Sequence, residues 1–384
     1  MKNKKEIVIL AGWSIDIIDG DYFIPYTHYL YIDYICNRYK NVVLISSVRK
    51  KLLKENNKIK LDYSNLKIEP IPYYSSYKNA ILKIKYFYKA IKKHKKNSLF
   101  YCRIPDPFSW MPALFFNRKC IMHFVGDSID AIQKNQDWSI VKKYISIILY
   151  LPEYVLTVIA AKKSIVYTNG YHIAKKLKKY NVKSIPVISS TLVEKDFIEN
   201  NNKKDNLILS MVYLGYIRYS KGIKTIMELL SKLKAENVHF HFHFIGDGEM
   251  SSDLKLFLEK RKIIKNVTLH GHIEQRSTIN KIINNSDLFI FPSLSEGSPR
   301  VILEAMSQKI PIISTPVGSL PYVFKNKEHI RFFDFNNSVE AYNLVMEFIN
   351  NKESFIKYAE NAFDLVRKEY TRDKFLSKIF NDEA

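Results

Sequence analysis

Short apolar runs of strand length, each opening into a turn or a charged loop, recur along both halves of the chain and constrain its fold more than any other feature. In the first half they are EIVILAG (residues 6–12), VVLISS (42–47), SLFYCRI (98–104), KCIMHFVGD (119–127) and SIVYTN (164–169). The second half repeats the pattern with LILSMVYLG (207–215), HFHFHFIGDG (239–248), NVTLHGH (266–272), DLFIFPS (287–293) and IPIISTPVG (310–318). Apolar spacing between the runs is helical, as in the aromatic segment Tyr22–Lys40, in Ile223–Lys234, in a helix ending near Asn285 and in one from about Pro299. Strands apolar on both faces, alternating with helices, predict parallel sheets covered on both sides, a doubly wound α/β architecture. At 384 residues the chain is too long for one ordinary core. The polar stretch EKDFIENNNKKDN (194–206) is the expected linker. The predicted organisation is a first domain over 1–200, a second over 201–365 and a C-terminal helix over 366–384 that packs back on the first. Two such domains facing a central cleft would bind ligands at the carboxyl ends of their strands.

Composition narrows the class. Hydrophobic residues make up 47% of the chain, which excludes a disordered protein. The most apolar helix, Tyr144–Ala161, is interrupted by Pro152-Glu153 and reads as a buried or interfacial helix rather than a membrane span. MKNKKEIVILAGW passes from lysines straight into a strand, so no signal peptide is expected. Three cysteines, without CxxC or Cys/His spacing, fit a reducing cytoplasm and predict neither disulfides nor a metal site. The formal charge of +22 is uneven: residues 1–200 hold 34 Lys and Arg against 16 Asp and Glu, and residues 201–384 hold 26 against 22. The segment Tyr77–Lys96 alone has eight lysines among Tyr, Phe and Ile. It suits a helix on an anionic membrane surface. Nucleic acid and plain solvent are the other partners such a face could have.

Chemistry concentrates in SEGSPRVILEAMSQ (295–308). A buried strand ends in a loop carrying Glu296, Pro299 suits a first helical turn, and Glu304 lies inside the helix that follows. A helix start of this kind favours an anion such as a diphosphate. If all eight steps between the glutamates were helical they would lie about 12 Å apart, the span of a nucleotide sugar. The alternative is a surface loop with a solvated Glu296 and a helix-face Glu304. LGYIRYSKGIKT (214–225) adds a strand, a turn at Gly215 and a basic loop from which Arg218 and Lys221 could reach the same diphosphate. IGDGEM (245–250) reads as a tight turn.

The order of these strings, YLGYIRYSKGIKT, IGDGE, VTLHGHIEQ and SDLFIFPSLSEGSPRVILEAMSQKIPIISTPVGSLPYV, resembles the donor domain of glycosyltransferase family 4, of GT-B fold. The likeness runs over residues 207–324, with Glu296-x7-Glu304 as its specific element. It implies Glu296 toward the donor sugar, Glu304 toward the ribose, Lys221 on the diphosphate, and Gly297, Ser298, Pro299 and Arg300 around diphosphate and sugar. Relatives carry Arg directly after the glycine, where this chain has Tyr216; Arg218 is the expected replacement. FYCRIPDPFSW and CIMHFVGDSIDA resemble the acceptor domains of bacterial capsule and exopolysaccharide glycosyltransferases, making Arg103, His123, Gly126 and Asp127 candidates for acceptor or donor contacts. Strand alternation turns His123 to a sheet face, where a core histidine is the other reading. Asp19-Gly20-Asp21 stands where relatives have a glycine-rich loop and reads as a turn rather than a metal-diphosphate ligand.

The resemblance implies a retaining glycosyltransferase, taken as a hexosyltransferase, that moves a sugar from a nucleotide diphosphate donor to a growing, lipid-linked bacterial surface polysaccharide. It also implies no metal or other cofactor, no nucleic acid partner, and a cytoplasmic location, peripheral on the inner face of the cell membrane. A nucleotide-sugar epimerase of the same fold and a basic nucleic-acid-binding protein are the rival readings. A nicotinamide dehydrogenase fits less, because no strand leads into GxGxxG.

Overall fold

The computed structural model describes residues 3–51, 58–134, 138–198 and 208–380. The chain divides into two compact units, residues 1–187 with 376–384, and residues 188–375.

The first unit is built on a ten-stranded sheet of β1 (Asn3–Leu10), β2 (Ile15–Ile18), β3 (Asp21–Pro25), β4 (Tyr39–Lys50), β5 (Lys58–Lys60), β6 (Leu66–Pro72), β7 (Leu99–Ile104), β8 (Lys119–Phe124), β9 (Ile165–Asn169) and β10 (Ile185–Val187). The order is β10-β9-β8-β7-β1-β4-β2-β3-β5, with β6 also paired to β4. Ile7, Val8, Ile9 and Leu10 are all buried, so β1 is covered on both faces, as expected of a central parallel strand. Prolines that would break a central ladder fall at the sheet's margins, Pro70 and Pro72 in β6 and Pro186 in β10.

Tyr22–Lys40 is not one helix. Its first residues extend as β3, antiparallel to β2, and the helix runs over Tyr26–Arg38. Tyr22, Phe23 and Ile24 favour a strand, and Pro25 leaves no amide for a helix interior, so the helix begins after it. Asp19 and Gly20, both at positive φ (51° and 85°), form the two-residue turn of that hairpin. The basic segment 77–96 is also divided, into helices Tyr77–Ile81 and Ile84–Lys92.

The second unit holds a six-stranded parallel sheet of β11 (Leu209–Leu214), β12 (Phe240–Ile245), β13 (Val267–Leu269), β14 (Leu288–Phe291), β15 (Ile312–Ser314) and β16 (Arg331–Phe332), ordered β13-β12-β11-β14-β15-β16. Chain order reverses between β11 and β14, which pair through Met211–Leu288 and Val212–Phe289. In open α/β sheets such a reversal opens a crevice at the carboxyl ends of the two strands. The corresponding reversal in the first unit lies between β1 and β7.

The division between units falls at Val187/Ile188, ahead of the expected 200/201. Leu192 is buried in the second core and Ile188 and Phe197 pack against it, so the apolar residues upstream of the polar stretch decide the boundary. Residues 199–207 of the expected linker lie outside the described residues. At the other end, residues 366–369 complete the helix Lys352–Glu369 of the second unit. The last helix, Arg372–Phe380, rejoins the first unit from Leu376, with Phe380 4.9 Å from the Tyr101 ring.

Candidate active site

Both loops at the reversal point of the second sheet are locked by backbone contacts. After β11 the chain makes a single 3-10 turn, Tyr219–Lys221, and Gly222 at φ 72° starts the helix Ile223–Ala235. A Cβ on Gly222 would lie 1.9 Å from the carbonyl oxygen of Pro292, so the two loops touch where only glycine fits. Leu294 N donates to Ser220 O at 2.9 Å across the same junction. This apposition delivers the Lys221 ammonium to Glu296 Oε1, and the two form an ion pair.

Glu296 is held from below as well. Ser293, fully buried, donates from Oγ to Glu296 Oε1 at 2.9 Å, and its carbonyl accepts from Thr315 Oγ1 at 2.5 Å. The loop after β15 braces the opposite side: Ser319 donates from N and Oγ to Gly297 O at 3.0 and 2.9 Å. Gly318, at φ 60°, is so close that a Cβ there would sit 2.6 Å from Gly297 O and 2.7 Å from Glu296 O. The Glu296–Ser298 loop is thus fixed by three strand ends.

Pro299 is buried and caps a helix of seven residues, Arg300–Met306. Only the last steps from Glu296 to Glu304 are therefore helical, and the fully helical span drawn from sequence does not apply. Ile302, Leu303, Ala305 and Met306 are buried, while the Glu304 side chain is 20% exposed and its Oε1 lies 3.2 Å from Arg276 Nη1. Arg276 opens the helix Arg276–Asn284; its Nε lies 3.9 Å from Asp196 Oδ1, and among the described residues its buried Nε and Nη2 make no hydrogen bond. Sequence reading did not single it out, because nothing local marks an arginine 28 residues away as the partner of Glu304.

Arg218 projects from the first loop with its guanidinium 5.7 Å from the Tyr216 ring. Beneath it the buried phenol of Tyr213 donates to Tyr216 O at 3.0 Å. Burial, together with the negative charge of Glu296, pushes that phenol's pKa well up, while Arg218 opposes the shift; these groups feel one another's field. Gly215 lies over this phenol, its position closed to a side chain by the Tyr213 oxygen. The IGDG turn is structural: the Gly246 backbone lies against Gly215 O, and Ile217 N donates to Asp247 O at 2.9 Å.

In the first unit, His123 is fully buried, with Nδ1 2.7 Å from Tyr101 Oη and Nε2 2.8 Å from Asn169 Oδ1. Because Asn169 Oδ1 accepts, the proton sits on Nε2 and Nδ1 takes the tyrosine hydrogen. Burial pushes this imidazole down to about 4. Arg103 lies 3.6 Å from Asp106, whose carboxyl burial holds up against that pairing. Asp127 accepts from Asp130 N at 3.0 Å at the start of the helix Ser128–Lys134 and pairs with Lys176 at 2.8 Å; Gly126 precedes it beside Pro105. His28, which sequence reading passed over, stacks on Trp13 at 5.2 Å and is pushed down to about 3 by burial and then by the charge of Arg103. Arg103, Asp106, His28 and Trp13 thus form one polar cluster by the carboxyl ends of β1 and β7. Among the described residues no group of three or more His, Cys, Asp or Glu could hold a metal ion.

Residues 193–364 match the family described as Glycosyl transferases group 1. Over 95% of its length the chain is 26% identical to Protein CapJ of Staphylococcus aureus, covering 93% of that protein. It is 29% identical to the putative teichuronic acid biosynthesis glycosyltransferase TuaC of Bacillus subtilis over 41% of this chain and 39% of that one. Among solved structures it resembles Anabaena HepE in complex with UDP, with a TM-score of 0.68 over 98% of both chains at 12% identity. The fold is GT-B, and the chain is an enzyme, a glycosyltransferase, whose residues 193–364 are similar to group 1 glycosyl transferases.

Proposed function

We propose that this enzyme transfers a sugar, with retention at the anomeric carbon, from a nucleoside diphosphate donor to a hydroxyl of a growing, lipid-linked bacterial surface polysaccharide. The observation that carries the donor assignment is the Lys221–Glu296 pair, held at the strand reversal of the second unit with Glu304 on the helix beyond. Without donor, Lys221 and Glu296 neutralise each other. With donor, Glu296 turns to sugar hydroxyls and Lys221, with Arg218, to the diphosphate. The bond from the anomeric carbon to the diphosphate oxygen breaks, and negative charge grows where these cations stand. The acceptor hydroxyl oxygen bonds the same carbon, and its proton passes to a phosphate oxygen of the leaving group. Gly215, Gly297, Ser298, Pro299 and Arg300 shape the donor site, while Glu304, steadied by Arg276, accepts ribose hydroxyls. The polar cluster of Arg103, Asp106 and His28 is the acceptor-side candidate. His123 supports it from the core, and Gly126 and Asp127 lie on the adjoining loop.

A relative named for teichuronic acid biosynthesis and a structural neighbour carrying UDP support the acceptor class and the donor class. The enzyme is proposed to work in the cytoplasm, peripheral on the inner face of the cell membrane, without a resident metal. A thermal-shift panel of nucleoside diphosphates and nucleotide sugars tests the donor, since a ligand of the native state alone raises the apparent Tm. A shift by at least one member that Lys221→Ala diminishes is expected; a flat panel overturns the reading. Sugar conversion without any acceptor would point instead to an epimerase.

A further inference from the structure

The helix Ile140–Ala161 is long and apolar enough to cross a membrane, yet only 33% of its most apolar window is buried. Its inner face belongs to the first unit: Tyr154, Thr157, Val158, Ala160 and Ala161 are buried. Glu153 ties that face down, accepting from Phe108 N at 2.7 Å, Trp110 Nε1 at 2.8 Å and Tyr77 Oη at 3.1 Å. The outer face is a continuous apolar stripe. Val141, Tyr144, Ile148, Leu151, Val155 and Ile159 follow one another at three- and four-residue steps and are each 42–67% exposed. An apolar strip some 27 Å long, facing water, has no role in a domain already closed on its own core.

We propose that this stripe is the membrane-inserting surface of the enzyme, lying in the plane of an anionic leaflet with its apolar side chains below the headgroups. The stripe ends at lysines, Lys142 and Lys143 at one end and Lys162 and Lys163 at the other, placed to reach headgroups while the apolar residues sink. Lys142 lies 4.5 Å above the ring of Trp138, an aromatic at the water boundary. The helix Met111–Leu114 packs beside it and ends at Phe115, 58% exposed, and Tyr77, 5.4 Å from the Tyr150 ring, starts a short helix that ends at Leu82, 78% exposed. Charge selects the occupant. With 34 basic against 16 acidic residues in the first 200, a second copy of this face would meet like charge, whereas an anionic leaflet meets opposite charge. Spanning is ruled out by the buried face, which would have to abandon Glu153 and its three donors. The proposal deepens the peripheral part of the reading above by naming the surface, and the donor site plays no part in it.

The test uses the full chain with vesicles of phosphatidylcholine, alone and mixed with phosphatidylglycerol. Tyr144→Gln/Ile148→Gln/Leu151→Gln, all at exposed positions, should weaken partition into the mixed vesicles by about tenfold or more, at low and high salt alike. Its response to UDP should match that of wild type, so a lost donor site and a lost membrane surface give different results. The three native cysteines are buried. A single Ile148→Cys carrying an environment-sensitive fluorophore should therefore shift to the blue on adding vesicles and become protected from an aqueous quencher. Equal partition of wild type and triple variant, or a label at 148 that stays quenchable on bound protein, overturns the proposal. So does a wild type that is dimeric without lipid, turns monomeric in the triple variant and ignores vesicles, which would give the face to a second copy.

Discussion

Glu304 stands out on its helix because every neighbour from Ile302 to Met306 serves the core, while its own carboxylate is held on Arg276. Glu304→Ala should weaken nucleoside diphosphate and intact donor alike, by about 1.5–3 kcal/mol for a charged hydrogen bond, read by calorimetry. Arg276→Ala should reproduce part of that loss by releasing Glu304; unchanged affinity in both would remove the pair from the donor site. Lys221→Ala is expected to lower kcat more than it raises the donor KM, since the leaving diphosphate gains charge as the bond breaks. His123 contributes to an acid limb of stability, as do His28 and His243, whose imidazoles burial also pushes down. Unfolded, His123 titrates near 6.5; folded, near 4, so between those values the unfolded chain holds the extra proton. Stability is therefore full above about pH 6.5 and falls as pH drops toward 4, by on the order of 3 kcal/mol for this one group. His243, also pushed down to about 4 by burial and its histidine neighbours, acts in the same direction. In thermal melts across that range His123→Gln, which can still bond Tyr101 and Asn169, should show a shallower acid limb than wild type.

At the scale of elements, the Glu296 loop is shaped by residues on other elements. A Gly318→Ala side chain would enter the carbonyls of Glu296 and Gly297, and the left-handed conformation there adds roughly 1–2 kcal/mol of its own. The variant is expected to fold, melt lower and bind nucleotide more weakly. Gly20→Ala is the control: at φ 85° with nothing within 4 Å of the added carbon, it should show the backbone cost alone and leave nucleotide binding unchanged. If both variants bind as wild type, the brace does not set the site.

For the whole molecule, the charge imbalance is the property to test. Lys85, Lys89 and Lys92 are exposed on the helix Ile84–Lys92, whereas Lys93 is engaged by Glu69 at 2.9 Å. Tyr86 and Tyr88 are exposed but Phe87 between them is buried in the core, so it has no part in insertion and the aromatic contribution of this segment is smaller than its composition suggests. Replacing Lys85, Lys89 and Lys92 with glutamine should remove a salt-sensitive share of binding to anionic vesicles, on the order of 1 kcal/mol per lysine near the surface, and leave nucleotide binding as it was. Vesicle co-sedimentation equal to wild type at low salt would assign these lysines to solvent.

The amino-acid sequence by itself determined the alternation of buried parallel strands, because a strand covered on both faces must be apolar throughout, and the buried runs of β1 and β14 read as such, while β12 alternates buried phenylalanines with half-buried His241 and His243. It also placed Glu296 and Glu304 on consecutive elements, since Gly-Ser-Pro ends one and starts the next. Edge strands were not legible: in β6, burial alternates and two prolines interrupt, and β5 has three residues. Only the tertiary structure decided that Arg276 serves Glu304, that Gly318 shapes a loop more than twenty residues upstream, and that the helix Ile140–Ala161 shows its apolar residues to the outside. The physical reason is common to these cases. Which side of an apolar helix faces the core, and which distant backbone a glycine must admit, depend on groups remote in sequence and brought close only when the sheet has formed.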